Sequence, residues 1–273
     1  MLTDAHCHPY DLSAAFAEYD NERKSLNVLA AASACGMEEF EFNEILSRNN
    51  GGQDAQLLPC FGIHPQIFKI KSDKSDDGGL MAFLDRLASE KRISAIGECG
   101  FDLFNEAFRE TESIQERYFV SELETAVKYD LPLVIHVRRA MHKIFLYKKK
   151  LSMCKAVIFH SWSGTYEEAL SLLRAGVNAY FSFGNTIMLN HKQAIRNCAM
   201  LPADRILTET DAPFQPRRGK SFSSWTDLPM ILYAAAKLRT ESGNLISPGD
   251  LETMIEINFR EIFNYFQLQT ILN

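Results

Sequence analysis

The stretch Leu2-Thr3-Asp4-Ala5-His6-Cys7-His8 at the start of the chain decides how the rest of the sequence is interpreted. Successive side chains of an extended strand alternate between its two faces, so Asp4, His6 and His8 are expected on the same face. Two imidazoles placed in this way can chelate one divalent cation. The pair alone is a weak indication, because neutral histidine also occurs in cores and on surfaces. Its significance depends on whether later strands supply further ligand-type residues.

Short apolar stretches alternate with longer amphipathic segments along the whole chain. The apolar stretches are mostly continuous, as is typical of parallel strands that are covered by helices. The segments between them have helical periodicity, as in the stripes Leu80, Phe83, Leu84, Leu87 and Phe119, Leu123, Ala126, Val127. The eight predicted strands are Leu2–His6, Asn27–Ala32, Leu57–Gly62, Ile93–Glu98, Pro132–His136, Ala156–His160, Asn178–Phe183 and Ile206–Glu209.

Eight strands that are each followed by helical sequence predict an α/β fold of the TIM (β/α)8 barrel type. The 273 residues suit one barrel domain spanning residues 1–273. An open doubly wound sheet is the alternative, and the absence of a glycine-rich phosphate motif after the first strand disfavours it. Ser113 and Glu116 have the spacing of a capping box, Ser247-Pro248 predicts a helix start, and Lys71–Gly79 is a predicted polar loop.

The composition limits the classes of function. A formal net charge of −6 argues against general wrapping of nucleic acid, although bound metals would still allow local phosphate binding. The six cysteines form no Cys-x-x-Cys pair and are expected to be reduced thiols of a cytoplasmic protein. We see no signal peptide and no apolar run long enough to span a membrane, and nothing indicates an obligate protein partner.

Ligand-type residues recur at the ends of the predicted strands. In a barrel these ends meet at the C-terminal face, where the loops after the strands build active sites. Five of the seven histidines lie at such positions, and a random placement of histidines would not be expected to produce this distribution. The residues are His6 and His8 after the first strand, His64 after the third, Glu98 on the fourth, His136 on the fifth, His160 on the sixth and Asp211 after the eighth.

Four imidazoles and two carboxylates are more ligands than one tetrahedral zinc ion uses, but they suit two divalent cations that share a carboxylate. Glu98 is central in strand order and is the predicted bridge. The remaining predicted ligands are His6, His8 and Asp211 for one cation and His136 and His160 for the other. Mixed imidazole and carboxylate donors do not choose among Mg, Mn and Zn.

Other polar residues near these positions have a functional and an ordinary structural interpretation. His64 and Arg138 are candidates for binding a substrate phosphate, as are Arg217 and Arg218, with Lys220, in the loop after the last strand. The alternatives are a turn histidine, a loop salt bridge and a solvated loop.

Four further residues lie close to predicted ligands. Asp4 and Glu209 each lie two residues before a ligand and are expected to orient a ligand histidine, because an isolated buried charge is costly. Trp162 and Phe214 are candidates for stacking on a nucleobase, with rim or core packing as the alternative.

Taken together, these motifs resemble the TatD family of metal-dependent deoxyribonucleases within the amidohydrolase-like superfamily. The resemblance implies a TIM barrel with a divalent metal centre that cleaves phosphodiester bonds in DNA, from single strands or 3′ ends. The sequence departs from the family pattern at Arg139 and His142, where an acidic residue is usual. The matching stretches are Asp4–His8, Gly62–Pro65, Ile96–Asp102, Ile135–Arg138, Phe159–Gly164 and Glu209–Pro213.

The expected mechanism is metal-assisted phosphodiester hydrolysis, in which Glu98 bridges two cations and Asp211 orients a water and accepts its proton. A barrel hydrolase of another ester or amide, such as an aminoacyl-tRNA deacylase, is the first alternative. A hydrolase with a metal-bridging modified lysine is disfavoured, because Glu98 occupies that position. A non-catalytic metal or nucleic-acid binding module is the third alternative, and loss of a ligand would be its mark.

Overall fold

A computed structural model describes residues 1–49, 56–70 and 77–263 of the chain. Its centre is one sheet of eight strands, hydrogen-bonded in chain order from β1 to β8, with every neighbouring pair parallel. The order of the strands confirms the predicted TIM-barrel topology. The strands are β1 Thr3–Cys7, β2 Leu29–Ala32, β3 Leu57–Phe61, β4 Ala95–Asp102, β5 Leu133–Arg138, β6 Val157–Phe159, β7 Ala179–Phe183 and β8 Ile206–Thr208.

The first and last strands meet through side chains as well as backbone. Both carboxylate oxygens of Asp4 on β1 accept hydrogen bonds from Thr210, one from its backbone amide at 2.9 Å and one from its hydroxyl at 2.6 Å. Just beyond this contact, the amide of Asp211 donates to the carbonyl oxygen of His6 at 2.9 Å. These bonds join the two edges of the sheet and bring the ends of β1 and β8 together.

Helices cover the outside of the sheet and present apolar side chains to it. Both predicted stripes pack in the core: Phe83, Leu84, Leu87, Phe119, Leu123 and Ala126 are buried, and Leu80 and Val127 are partly buried against them. The helices are α1 Pro9–Ala15, α2 Tyr19–Ser25, α3 Met37–Arg48, α4 Ile67–Ile70, α5 Asp77–Ser89, α6 Glu106–Arg109, α7 Glu112–Tyr129, α8 Met141–Leu146, α9 Lys148–Leu151, α10 Tyr166–Arg174, α11 Lys192–Met200, α12 Leu228–Glu241 and α13 Pro248–Ile262, with 3-10 turns at Asn185–Met188, Ala203–Arg205 and Trp225–Asp227.

The fourth strand is longer than its apolar run predicts. It was expected to end at Glu98, but it continues to Asp102, so Glu98 lies within the strand. The register against β5 shifts between Ile96 and Cys99, which inserts one extra residue into β4. Gly97 makes this possible, because its φ of +138° is rarely adopted by residues with a side chain. The shift places the Glu98 carboxylate inside the barrel.

Of the two local predictions on helix starts, one was wrong and the other was right. Ser113 does not begin a helix, because α7 starts at Glu112, and Glu116 accepts hydrogen bonds from Lys143 and Tyr147 instead of capping. A capping box does occur at Thr165, at the start of α10. Ser247 caps α13 as predicted, by accepting a hydrogen bond from the amide of Asp250.

The predicted loop Lys71–Gly79 falls partly outside the described residues, and its last three residues belong to α5. All six cysteines are free thiols, and five of them are buried. Within the described ranges, the helices are either too short or too polar to cross a bilayer.

Gly100 offers a test of the close contact between β4 and β5. A methyl carbon at this position would lie 2.2 Å from the carbonyl oxygen of His136, and the φ of Gly100 is +130°. We therefore expect Gly100→Ala to lower the free energy of unfolding in urea by about 2 kcal/mol or more. Gly249→Ala is the control, because nothing lies within 4 Å of the added carbon, and it should leave stability unchanged or raise it by up to about 1 kcal/mol. Equal effects in the two variants would contradict the expectation.

Candidate metal centre

Glu98 lies at the centre of a cluster of histidines at the C-terminal face of the barrel. Its Oε1 atom is 2.6 Å from His136 Nδ1, 2.7 Å from His160 Nε2 and 3.3 Å from His64 Nε2. These histidines come from the ends of β5 and β6 and from the segment after β3. One carboxylate oxygen therefore faces three imidazole nitrogens.

The other oxygen of Glu98 faces a second group of donors from β1 and β8. Its Oε2 atom is 3.2 Å from His6 Nε2 and 3.6 Å from His8 Nε2. These two nitrogens are 3.1 Å apart, and Asp211 Oδ1 lies 3.6 Å and 3.5 Å from them. The carboxylate of Glu98 thus separates two donor sets and contacts both, as a bridging ligand would.

The spacing of the donor atoms fits metal ligation. Donors that surround one cation tetrahedrally at about 2.1 Å are about 3.4 Å from one another. Three groups of described side chains have all their donor atoms within 4.8 Å of each other. They are His6, His8 and Asp211; His6, Glu98 and His160; and His64, Glu98 and His136. All six predicted ligands belong to these groups.

His64 was predicted to bind substrate phosphate, but its position suggests a second role. Its Nε2 atom lies 3.4 Å from His136 Nδ1, in the same group as Glu98. The sequence prediction assigned His136 and His160 to one cation. The structure adds His64 to the group of donors near Glu98 Oε1. The role of His64 in binding substrate phosphate stays a prediction.

Burial and close packing of charges shift the pKa values in the centre. Burial acts to raise the pKa of Glu98, but the neighbouring imidazoles, His160 foremost, outweigh it and hold that pKa well below its ordinary value. Burial lowers the pKa of His6 to about 4, and the charge of His160 adds to this effect. Glu98 is therefore an anion and His6 a neutral imidazole near pH 7, the protonation states that metal ligands require. Burial acts to lower the pKa of His160, but the charge of Glu98 outweighs it and raises that pKa to about 10, so a metal bound there would displace a proton.

The His6 ring is oriented by a residue that sequence reasoning missed. Its Nδ1 atom is 3.0 Å from the hydroxyl of Ser33, which follows β2. Asp4 was predicted to pair with or orient a ligand histidine, and its carboxylate accepts from the backbone amide of His6 at 3.2 Å and from Thr210. Asp4 thus contacts the backbone of His6 and Ser33 contacts its imidazole, and the orienting role of Asp4 stays a prediction. Burial also raises the pKa of Asp4 to about 7.

Glu209, which was predicted to pair with or orient a ligand histidine, lies near His160. Its Oε1 atom is 3.8 Å from His160 Nδ1 and accepts hydrogen bonds from the amide and hydroxyl of Ser161 at 2.8 Å and 2.6 Å. Its other oxygen accepts from the hydroxyl of Ser182. The carboxylate is fully buried, so these bonds fix its position beside the imidazole.

Asp102 is a second residue near the centre that sequence reasoning missed. Its Oδ2 atom lies 3.2 Å from His136 Nε2 and accepts a hydrogen bond of 2.7 Å from Gln66. This contact leaves His136 Nδ1 to face Glu98. Burial acts to raise the pKa of Asp102, but the bonds from His136 and Gln66 outweigh it and lower that pKa to about 2. Only the longer β4 reveals the residue, because it places Asp102 at the end of the strand.

Asp211 is held by its own loop. Its Oδ2 atom accepts a hydrogen bond of 2.5 Å from Gln215, whose amide also donates to the hydroxyl of Ser161 at 2.7 Å. The backbone of Asp211 has a φ of +52°, a left-handed conformation that Asp and Asn tolerate better than most residues. The loop after β8 thus fixes the carboxylate, whose other oxygen faces His6 and His8.

The predicted substrate-binding arginines occupy different environments. Arg138 is 43% exposed at the rim, 3.6 Å from Asp102. Arg217 instead forms an ion pair of 2.5 Å with the buried carboxylate of Asp227, so it has a structural partner that the sequence did not reveal. Arg218 is exposed in the same loop.

The two aromatic residues also differ. Trp162 is 1% exposed and packs against Phe159 and Phe181 in the core, so it is not available for stacking on a base. Phe214 is 48% exposed and contacts His8 edge to face, with 5.3 Å between ring centroids. Of the two, only Phe214 can meet a ligand at the rim.

Comparison with known proteins gives the same family over most of the chain. A model of the family described as "TatD related DNase" matches residues 3–264. A protein of Erwinia tasmaniensis named "3'-5' ssDNA/RNA exonuclease TatD" is 33% identical over 213 residues, which are 74% of this chain and 76% of the relative. An uncharacterised metal-dependent hydrolase of Mycoplasma pneumoniae is 30% identical over 80% of this chain and 84% of its own length.

Solved structures agree with the fold. The crystal structure of YjjV, a TatD homologue from Escherichia coli, superposes with a TM-score of 0.81 at 23% identity, covering 96% of this chain and 98% of that one. A TatD family hydrolase from Entamoeba histolytica gives a TM-score of 0.74 at 15% identity, over 96% and 97% of the two chains. The chain therefore belongs to the TatD family of metal-dependent hydrolases.

Proposed function

We propose that this hydrolase cleaves phosphodiester bonds in DNA with the help of two divalent metal ions. The observation that carries the proposal is the position of Glu98, whose Oε1 atom lies 2.6 Å and 2.7 Å from His136 and His160 and whose Oε2 atom lies 3.2 Å from His6. Such a pair of adjacent sites suits the in-line displacement of a phosphate ester. The Erwinia relative is named as a 3′-5′ exonuclease of single-stranded DNA and RNA. This name supports a nucleic-acid substrate that is cleaved from its 3′ end.

The distances between donor atoms indicate which residues would hold each ion. His6, His8 and Asp211 form one set, and His136 and His160 form the other with His64 beside them. Glu98 is shared. When bound, Mg, Mn or Zn would polarise the phosphate and lower the pKa of a coordinated water. The buried, hydrogen-bonded surroundings keep the donor atoms in place before substrate arrives.

Asp211 is the proposed general base. Its Oδ1 atom faces the centre, and its Oδ2 atom is fixed by Gln215 at 2.5 Å. A carboxylate held in this way can orient a water and accept its proton while the phosphate is attacked. Arg138, exposed beside Asp102, and Arg218, exposed in the loop after β8, are proposed to contact the substrate's phosphates.

Hydrolysis of another ester remains the second candidate, because the same donor sets can activate water against an aminoacyl ester. A non-catalytic binding module is disfavoured, since all six predicted ligands are present and close together. One assay panel separates these functions: labelled single-stranded DNA, duplex DNA, RNA and aminoacyl-tRNA, each with Mg, Mn and Zn. Turnover of aminoacyl-tRNA without cleavage of DNA would replace the proposal with the deacylase.

Metal content is the first prediction. We expect the purified protein to bind up to two divalent ions per chain, by elemental analysis and calorimetry, and to melt at a higher temperature when they are bound. Exhaustive chelation should abolish hydrolysis, and returning the metal should restore it. Full turnover by protein that elemental analysis shows to be metal-free would exclude the mechanism.

Substitution of the proposed base is the second prediction. Asn tolerates the left-handed backbone of Asp211 and can still present an oxygen to His6 and His8, so Asp211→Asn should unfold with a midpoint close to wild type. Loss of the proton acceptor should lower kcat at least about a hundredfold. Metal occupancy is measured on the same sample. A variant with full metal occupancy and near-normal kcat would remove Asp211 from the mechanism.

The loop after β8 provides a third prediction with a built-in comparison. If Arg218 and Lys220 steer DNA, replacing both with Gln should raise KM and flatten its salt dependence while kcat changes little. Arg217→Gln should instead reduce stability by about 1–3 kcal/mol, because it leaves the buried Asp227 without its cation. An unchanged salt slope in the double variant would make the loop an ordinary solvated segment.

A further inference from the structure

An exposed ring and two guanidinium groups form a patch at the edge of the metal centre. Phe104, just after β4, is 42% exposed. The guanidinium carbons of Arg138 and Arg139 lie over its ring, 4.1 Å and 4.7 Å from the centroid. We call these three residues the Phe104 patch. The quadrupole of the ring attracts both guanidinium groups, so the three side chains are held together at the rim.

The patch connects directly to the donors. Arg138 lies 3.6 Å from the Asp102 carboxylate, which contacts His136 at 3.2 Å. His136 is in turn 2.6 Å from Glu98. The Asp102 side chain therefore links Arg138 of the patch to the predicted metal ligand His136. A ligand on the patch would lie next to a phosphate bound at the metal centre.

Arg139 has an unusual backbone and an unneutralised charge. Its φ is +54°, a conformation that costs a residue with a side chain about 1 kcal/mol. Its guanidinium donates to the carbonyl oxygen of Phe104 at 3.3 Å. Among the residues that the structure describes, no carboxylate oxygen pairs with it within 4.0 Å. A free cation held over an aromatic ring at this rim is suited to an anion that also carries a planar group.

We propose that the Phe104 patch binds the nucleotide next to the cleaved phosphate. The guanidinium groups of Arg138 and Arg139 attract the phosphate of this nucleotide. The unpaired base of the same nucleotide stacks on the guanidinium groups and the ring of Phe104. The proposal rests on the proposed function, because it assumes a polynucleotide at the metal centre. It adds a site that reads the neighbouring nucleotide rather than the bond that is cleaved.

Binding of a short oligonucleotide tests the patch independently of cleavage. The probe is fluorescein-labelled tetrathymidylate with phosphorothioate linkages, titrated with the full-length protein in Mg²⁺ and followed by anisotropy over a range of salt. Arg139→Gln should raise Kd about threefold to tenfold and reduce the salt slope by about 0.7, the loss of roughly one phosphate contact. Phe104→Leu should raise Kd about fivefold or more and leave the salt slope unchanged.

An abasic probe separates stacking from general damage. When the bases are removed from the probe, Phe104→Leu should bind it as the unchanged protein does, while Arg139→Gln should still bind it more weakly. Arg196→Gln is the matched control, because Arg196 lies over the ring of Tyr166 at 5.6 Å on another surface. It should leave both probes unaffected. Melting temperatures establish that each variant is folded.

The outcomes distinguish this proposal from the proposed function. If the unchanged protein cleaves DNA but Arg139→Gln and Phe104→Leu bind the probe normally, the patch is overturned and the nuclease stands. If the variants show the expected signatures but no DNA is cleaved, the nuclease fails and the patch remains a nucleotide-binding site. No measurable binding by the unchanged protein, or a Phe104→Leu defect that persists with the abasic probe, overturns the patch.

Discussion

The structure depends on one buried carboxylate, that of Glu98. An unpaired charge in a protein interior costs several kcal/mol, so its position demands partners for both oxygens. Five imidazoles from the ends of β1, β5 and β6 and from the loops after β1 and β3 supply them. To reach that position the fourth strand must take an extra residue, and the tight backbone approach around Gly97 and Gly100 follows from this requirement.

Much of the fold could be predicted because it follows from patterns that are local in sequence. Continuous apolar runs gave the eight strands in order, and the helical stripes packed as their periodicity required. The extension of β4 could not be predicted in this way, since two glycines resemble the end of a strand. Ser113 and Glu116 have the right spacing for a capping box. The carboxylate of Glu116 instead accepts hydrogen bonds from Lys143 and Tyr147, which are more than one turn of helix away in sequence and could not be identified as partners from local spacing.

The candidate site was predictable where it depends on position along strands. Ligand-type residues at the ends of parallel strands meet at one face, and this rule brought the donors from six strands together. The residues that orient them are different. Ser33 and Gln215 are neutral and have no characteristic spacing, so only the folded structure shows their hydrogen bonds. The partner of Arg217 depends equally on how the last loop folds back on itself.

The hydrogen bonds between the first and last strands have a consequence for the order in which the site is assembled during synthesis. Asp4 and Thr210 are 206 residues apart, and His6, His8 and Asp211 become neighbours only when the barrel closes. The group made by His64, Glu98 and His136 comes from three consecutive strand units in the first half of the chain. These three donors are therefore all synthesised by the time His136 is made, whereas His6 and His8 gain Asp211 only after the last strand has left the ribosome. Closure of the barrel and completion of the centre are the same event.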